Sequence, residues 1–196
     1  IVVSRDIYGK VRSFPLVETY QSNQVCDWVF APANVGHDIE TLAYNISASL
    51  LVELDYVGVL AIEFFYGDDG LSINEIAPRT HNSGHYSIEA CNSSQFDQQI
   101  CIAAQLNVEE PHLIAPGAMM VNLLGLNESM ALPLNRRIEE LKRIKDLSFH
   151  WYNKPSEAIG RKLGHVTILL EGEDSSVRFI NAKKKLAEIR SIWPMP

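Results

Sequence analysis

Hydrophobic residues near the start of the chain form three short runs separated by turn-forming residues. These runs predict strands at residues 1–5, 11–19 and 25–31, arranged as an antiparallel meander. Apolar residues then recur at helical spacing between Asp38 and Glu53, which predicts one amphipathic helix after the three strands.

A hairpin is predicted next, because two strand-like runs flank a sequence typical of a β-turn. The runs are residues 56–66 and 71–77, and the four residues between them are Gly-Asp-Asp-Gly. A polar stretch at residues 79–87 follows the second run and belongs to no predicted strand or helix.

A second helix is predicted at residues 94–106, with Phe96, Ile100 and Ala103 among the residues that face inward. Prolines and paired glutamates interrupt the pattern at residues 107–116, which marks a domain boundary. The chain is therefore expected to have one domain at residues 1–110 and a smaller one at residues 117–196.

The second domain is expected to be a small α+β domain. Its pattern predicts three strands and two helices: strands at 118–124, 147–152 and 165–170, and helices at 136–145 and near 176–189.

Composition narrows the class of protein. The chain has 196 residues, of which 46% are hydrophobic, and acidic residues at 53, 55 and 63 interrupt the best candidate for a membrane helix. We therefore expect a soluble protein with no membrane partner.

Three cysteines match no zinc-binding spacing, so free thiols in a reducing cytoplasm are expected. Because the chain opens with an isoleucine inside an apolar run, it is expected to be a piece of a longer protein.

The net charge of −7 is unevenly distributed. Residues 1–110 contain four basic and fifteen acidic residues, a net charge of −11, while residues 111–196 have a net charge of +4. An acidic region can bind cations and a basic region can receive phosphates where the charges converge. Otherwise both regions are ordinary solvated surfaces.

The hairpin offers a candidate cation site. If its loop has three residues, with Gly70 in the left-handed conformation, Glu63 lies directly opposite Glu75 with Cβ atoms roughly 5 Å apart. Two such carboxylates repel each other, and a divalent cation such as magnesium removes that cost. A four-residue loop would place the two glutamates on opposite faces, and the spacing alone leaves both arrangements open.

The polar stretch continues directly from the strand that bears Glu75. It concentrates charged and amide side chains, which is typical of a functional loop. Arg79 offers a planar fork suited to a carboxylate, a bicarbonate or a phosphate. His81 and His85 are candidate bases, zinc ligands or structural donors, but Gly84 weakens the helix that would bring both imidazoles to one zinc ion.

The residues of this stretch resemble a known family. Residues 74–91, NEIAPRTHNSGHYSIEAC, followed by Ser94-Gln95-Phe96, resemble the ATP-grasp carboxyaminoimidazole ribonucleotide synthases of purine biosynthesis. Further matching segments are residues 56–65, 122–125, 150–154 and 160–165. Thr80 departs from the proline usual in the family. The resemblance implies an α+β fold: the carboxy-terminal half of an ATP-grasp domain, with an antiparallel sheet and helices, followed by a small α+β carboxy-terminal domain.

The resemblance also implies roles for residues of the first domain. Glu63 and Glu75 would bind the magnesium ions on the ATP phosphates, and Asn74 would lie beside them at the nucleotide. Arg79 would clamp bicarbonate or carboxyphosphate. His81 and Asn82 would lie near the acyl phosphate and the amine acceptor.

Three basic residues of the second domain match the family in the same way. The resemblance implies that Lys154, Arg161 and Lys162 bind the 5′-phosphate of the ribonucleotide substrate. Scattered surface cations are the common alternative for lysine and arginine, but these three lie within the family's own motif.

The implied function is ATP-dependent carboxylation of 5-aminoimidazole ribonucleotide with bicarbonate, through carboxyphosphate. ATP and magnesium are the implied cofactors, and the family implies a cytoplasmic homodimer with no nucleic acid polymer as partner. Because the adenine-binding hinge and the phosphate-covering loop would precede residue 1, the chain alone is expected to be inactive. The alternatives are a non-catalytic binding or oligomerisation module, or another bicarbonate- or formate-using ATP-grasp ligase, against which the motif at residues 154–165 argues.

Overall fold

The computed structural model describes residues 1–22, 24–127, 132–172 and 174–196. The chain is a mixture of helices and antiparallel sheets, so the α+β prediction is confirmed. The strands are β1 (Val2–Arg5), β2 (Val11–Ser13), β3 (Glu18–Ser22), β4 (Val25–Ala31), β5 (Gly58–Gly67), β6 (Gly70–Ala77), β7 (Gly117–Leu124), β8 (Leu147–Trp151) and β9 (Lys162–Leu170). The helices are α1 (His37–Glu53), α2 (Ser87–Ala90), α3 (Gln95–Ala103), α4 (Leu134–Lys142) and α5 (Ser175–Ile192), with a 3-10 turn at Asn82–Gly84.

The chain folds as two compact units. The first consists of Ile1–Glu18 and Ala31–Ile114, and the second consists of Thr19–Phe30 and Ala115–Pro196. The division into domains at residues 1–110 and 117–196 stays a prediction, and the structure groups residues 19–30 with the carboxy-terminal residues.

The first unit is built on a four-stranded antiparallel sheet in the order β2-β1-β5-β6. Helix α1 packs on one face, where Leu51 joins Val3 and Leu60 in the core. Helix α3 contacts the other face, where the Ser4 hydroxyl donates to Gln98 Oε1 at 2.8 Å. Helix α3 thus lies on the face to which Ser4 points, as adjacent residues of a strand point to opposite faces of a sheet.

The predicted meander at the start of the chain is wrong. Residues 11–19 form two strands rather than one, because β2 ends at Ser13 and β3 begins at Glu18. Strand β2 pairs with β1, whereas β3 and β4 belong to the five-stranded sheet of the second unit. Pro15 lies in the interruption, and its missing N–H group explains why a single continuous strand does not form there.

The predicted inward face of the second helix is also wrong. Ile100 is 64% exposed, while Gln95 and Gln98 are fully buried. Apolar periodicity alone does not reveal buried amides, because such groups are placed by their hydrogen-bond partners.

The second unit is built on a five-stranded sheet in the order β3-β4-β7-β9-β8. Strand β9 pairs antiparallel with both β7 and β8. Helices α4 and α5 contribute to one hydrophobic core, in which Trp193, Leu123 and Val166 are fully buried. The β8–β9 connection, residues 152–161, contains Lys154 and Arg161, and Lys162 begins β9 directly after it.

Among the residues that the structure describes, no helix is long and apolar enough to span a membrane. Cys26, Cys91 and Cys101 are free thiols, and burial raises the pKa of Cys91 to about 12.

Candidate functional site

Glu63 and Glu75 are directly opposed across the β5–β6 pair. The structure therefore supplies the carboxylate pair that the three-residue loop was expected to create. The side chain of Glu63 is only 13% exposed, whereas Glu75 lies on the exposed strand β6. Like charges directly opposite each other in a sheet are destabilising, so this position favours a cation.

The hairpin loop has neither the three residues nor the four residues that the sequence left open. Gly67 pairs with Gly70, which leaves two residues, Asp68 and Asp69, at the tip. Gly70 has the expected left-handed conformation, with φ of 89°. With this pairing at the tip, an uninterrupted ladder would not place Glu63 opposite Glu75.

A β-bulge restores the pairing. The register shifts between Glu63 and Phe64, so that Ile73 faces Phe64 and Asn74 is the extra residue on β6. Asn74 Nδ2 donates to Glu63 Oε2 at 3.4 Å. The bulge therefore brings the Asn74 amide to the carboxylate pair. The family resemblance implies that the pair binds the metal and that Asn74 lies beside it at the nucleotide.

His81 also approaches Glu63. Its Nδ1 atom lies 3.9 Å from Glu63 Oε1, and the two side chains are 11% and 13% exposed. The same nitrogen accepts from the Ser83 backbone N–H at 3.4 Å and lies 2.9 Å from Ser83 Oγ. Asn82 begins the 3-10 turn directly after His81 and is half-buried.

Arg79 follows the end of β6 at Ala77. Its backbone N–H donates to the Ala77 carbonyl at 2.8 Å, which turns the chain away from the sheet. The Arg79 guanidinium is exposed and donates to the Thr80 carbonyl at 2.9 Å. The cation thus lies on the loop between the carboxylate pair and His81.

Gln95 has no role that follows from the sequence, yet its side-chain amide is hydrogen-bonded to the main chain of His81. The available signal was the capping box at the start of α3. The Ser94 side chain accepts from the Asp97 N–H, and the Asp97 carboxylate accepts from the Ser94 N–H. This motif identifies where the helix begins but not what its first residue contacts.

The three predicted phosphate-binding residues belong to the second unit. Asn153, with φ of 49°, lies two residues after the end of β8 and is followed by the exposed Lys154. Arg161 Nη1 donates to Ser156 Oγ at 2.7 Å, and Lys162 begins β9. Because β8 and β9 pair antiparallel, their connection returns Arg161 and Lys162 to the end of the hairpin from which Lys154 leaves.

Gly125 fixes the other side of this loop. It donates to the Arg161 carbonyl at 2.8 Å and accepts from the Gly160 N–H at 2.9 Å. A Cβ atom at position 125 would lie within van der Waals radii of the Ala158 carbonyl oxygen, so a side chain there requires the loop to move.

Two further contacts support the loop. Tyr152, the first residue of the β8–β9 connection, has its hydroxyl 2.7 Å from His165 Nδ1, and burial raises the pKa of Tyr152 to about 12. Arg137 lies 3.8 Å from Glu157 and stacks over Trp193, and burial lowers the pKa of Arg137.

The donor set around β5 and β6 fits magnesium. Two carboxylates on adjacent strands offer hard oxygen ligands, which is the chemistry magnesium prefers. The Asn74 amide faces Glu63 through its nitrogen and hydrogen-bonds that carboxylate.

Two family models match the chain. Residues 1–96 match the ATP-grasp domain, and residues 118–177 match the phosphoribosylaminoimidazole carboxylase C-terminal domain. The first match contains every candidate residue of the first unit. The second contains Lys154, Arg161 and Lys162.

Similar proteins are found among curated sequences and solved structures. The N5-carboxyaminoimidazole ribonucleotide synthase of Synechococcus elongatus is 43% identical over 196 residues, which is 100% of this chain and 49% of that protein. The corresponding synthetase structure from Thermus thermophilus has a TM-score of 0.85 at 30% identity and covers 100% of this chain and 50% of the other.

A third relative is the N5-carboxyaminoimidazole synthase of Aspergillus clavatus, solved in complex with ADP and 5-aminoimidazole ribonucleotide. It has a TM-score of 0.83 at 30% identity and covers 97% of this chain and 50% of its own. The chain thus spans about half the length of the relatives it matches, and its fold is that of the carboxy-terminal half of these proteins.

Proposed function

We propose that this chain, which belongs to the ATP-grasp family, supplies the metal-binding and acceptor-binding residues of an ATP-dependent carbon–nitrogen ligase. The reaction is carboxylation of 5-aminoimidazole ribonucleotide with bicarbonate, and the products are carboxyaminoimidazole ribonucleotide, ADP and phosphate. This step belongs to de novo purine biosynthesis. The similar proteins that carry this name support the proposal.

The observation that carries the proposal is the opposition of Glu63 and Glu75, with Asn74 beside them, inside the segment that matches the ATP-grasp domain. Glu63 and Glu75 would bind magnesium, and Asn74 and Glu75 would contact ATP. When bound, magnesium neutralises charge on the phosphates and orients them for transfer.

The chemistry requires two transfers. A bicarbonate oxygen attacks the γ-phosphorus of ATP, the bond to the β-phosphate oxygen breaks, and carboxyphosphate and ADP form. The exocyclic amine of the ribonucleotide then attacks the carboxyl carbon, phosphate leaves, and the amine proton passes to phosphate or to a nearby base. Arg79 would stabilise the developing negative charge, and His81 and Asn82 would orient the acyl phosphate and the amine.

Lys154, Arg161 and Lys162 would bind the 5′-phosphate of the ribonucleotide. Lys154 and Arg161 lie in the β8–β9 connection, which two backbone hydrogen bonds tie to Gly125, and Lys162 follows directly in β9; this proximity supports the role. Arginine suits phosphate because its planar fork donates two parallel hydrogen bonds.

A cytoplasmic homodimer is part of the proposal. The three free thiols support a reducing compartment. The dimer rests on the family resemblance alone.

The test compares two proteins: the chain alone, and the chain with the additional half that its relatives contain. ATP hydrolysis dependent on aminoimidazole ribonucleotide is measured for both, together with formation of the carboxylated product. The full-length protein is expected to be active and the chain alone inactive. A full-length protein without ribonucleotide-dependent turnover would reject the ligase and favour a binding module. Activity of the chain alone would reject the need for the additional half.

A further inference from the structure

The side-chain amide of Gln95 binds the loop that carries His81. Gln95 is the first residue of α3 and is fully buried. Its Oε1 accepts from the His81 backbone N–H at 2.9 Å, and its Nε2 donates to the His81 carbonyl at 2.7 Å. One amide thus satisfies both main-chain groups of a single loop residue.

This pairing fixes which way the amide points. The oxygen of a glutamine amide accepts hydrogen bonds, and its nitrogen donates them, so the hydrogen-bond partners decide which atom lies where. A backbone N–H can only donate and a carbonyl can only accept, so the Gln95 oxygen must face the His81 N–H and the nitrogen must face its carbonyl. The reverse orientation would place two donors together and two acceptors together inside a buried site.

The fixed amide also determines the protonation and tautomer of the His85 imidazole. Gln95 Nε2 lies 2.9 Å from His85 Nδ1. Because Nε2 has two protons and one already points to the His81 carbonyl, the second is donated to His85, whose Nδ1 therefore accepts. A His85 ring with an accepting Nδ1 is neutral and has its proton on Nε2.

Both the backbone and the side chain of Gln95 are confined. The Gln95 backbone N–H donates to Ser87 Oγ at 3.0 Å, and that hydroxyl donates to the Gly84 carbonyl at 2.6 Å. A Cβ atom at Gly84 would lie 2.5 Å from Gln95 Oε1, so only glycine leaves room for the amide. The glutamine, the serine and the glycine thus connect the start of α3 to the 3-10 turn.

These hydrogen bonds matter for the site because His81 approaches the carboxylate pair. His81 Nδ1 lies 3.9 Å from Glu63 Oε1, and Glu63 is fixed on β5. The first turn of α3 therefore sets the position of the His81 main chain relative to the metal-binding strands.

We infer that Gln95 is a positioning residue for the acyl-transfer step: it places His81 beside Glu63 and maintains His85 as a neutral imidazole. This inference rests on the proposed function. The acyl phosphate is hydrolysed by water unless the amine is aligned with it, so a displaced loop loses carboxylated product while ADP still forms.

Gln98 offers a matched control, since it is an equally buried glutamine on the same helix. Its amide contacts Ser4 Oγ, Ser93 Oγ and the Glu109 carbonyl, none of which belongs to the site. Replacing either glutamine by leucine removes buried hydrogen bonds of similar number. Both variants are therefore expected to be less stable, but only the Gln95 variant is expected to form ADP without carboxylated product.

The experiment uses the full-length enzyme and measures kcat, KM for ATP, and the ratio of ADP to carboxylated product. Gln95→Leu is expected to lower kcat for the carboxylated product about tenfold or more and to change KM for ATP less than about twofold. The ratio of ADP to carboxylated product is expected to rise well above one. Gln98→Leu is expected to retain a ratio near one. Gly84→Ala, which displaces the amide without removing it, is expected to behave as Gln95→Leu does.

Should Gln95→Leu fold poorly, Gln95→Glu serves in its place, because it keeps the acceptor for the His81 N–H and removes both donated hydrogen bonds. A ratio of one in the Gln95 and Gly84 variants, with kcat no lower than in Gln98→Leu, would overturn the inference.

A second readout does not depend on turnover. Nitrogen NMR of His85 is expected to show a proton on Nε2 in the wild-type protein and a mixture of tautomers in Gln95→Leu. An Nδ1 proton in the wild type would overturn the inference. A wild-type enzyme with this tautomer but no ribonucleotide-dependent activity would instead reject the proposed function.

Discussion

Glu63 lies opposite Glu75 because Asn74 adds one residue to β6. Gly67 pairs with Gly70 at the tip of the hairpin, and the bulge at Asn74 shifts the ladder by one residue before it reaches the two glutamates. The same extra residue brings an amide within 3.4 Å of Glu63. A local irregularity therefore creates both the carboxylate pair and its neighbouring amide.

Replacing Glu75 by glutamine in the full-length enzyme tests the metal site. Turnover is expected to fall by about 100-fold or more, because a ligand charge is lost at the phosphates. Without magnesium, Glu75→Gln is expected to raise Tm slightly, since repulsion from Glu63 is removed. The stabilisation that magnesium gives the wild type is expected to disappear. Steady-state kinetics and thermal unfolding over a magnesium titration measure these effects.

Asp69→Asn is the matched control for that substitution. It removes one negative charge from the exposed tip of the same hairpin, away from Glu63. Near-normal magnesium-dependent turnover in Glu75→Gln would show that the carboxylate pair is not the metal site.

The turn geometry predicts a contrast between two glycines. Gly70 has φ of 89° and Gly67 does not have a positive φ, while a Cβ atom meets no neighbour within 4 Å at either position. Gly70→Ala is expected to cost about 1 kcal/mol from backbone strain alone, and Gly67→Ala to be nearly neutral. Thermal unfolding measures the difference as a Tm about 3 °C lower in Gly70→Ala. Equal Tm values would contradict the left-handed turn.

Lys154→Ala is expected to weaken binding of the ribonucleotide but not of ATP. Loss of one charged hydrogen bond to a phosphate corresponds to a rise in KM of about 10- to 100-fold. Lys184, an exposed lysine on α5 of the same unit, provides the control. Equal rises in KM for both substrates would reject the phosphate-binding role.

Gly125→Ala is expected to act on the same binding step from a distance. A Cβ atom at position 125 would overlap the Ala158 carbonyl, so the connection that carries Lys154 and Arg161 must move. The Tm increase caused by the ribonucleotide is expected to be lost, while the increase caused by ATP with magnesium is retained. A ribonucleotide-induced shift equal to that of the wild type would show that this connection does not bind the phosphate.

Much of the fold follows from local sequence signals. Helix α1 was predicted at residues 38–53 and lies at His37–Glu53, and β7 was predicted at 118–124 and lies at Gly117–Leu124. Helix α1 has apolar residues at helical spacing, and β7 is a nearly continuous apolar run in which every residue is buried. The assignment of β2 and β3 to different sheets could not be predicted this way, because strand propensity does not state which partner a strand will find.

The inner face of α3 shows the same limit. The apolar pattern favoured Ile100, which is exposed, over Gln95 and Gln98, which are fully buried. A glutamine can be buried only where partners satisfy its amide, and those partners lie on other segments of the chain.

The sequence by itself determined the chemistry available: two glutamates on a hairpin, a loop containing Arg79 and His81, and a basic connection containing Lys154. Tertiary structure decided how these groups are placed. The bulge at Asn74 sets the register of the glutamates, and the buried amide of Gln95 sets the position of His81. Residue types fix charge and hydrogen-bonding capacity, whereas register and burial arise from pairing between distant segments, which local patterns do not encode.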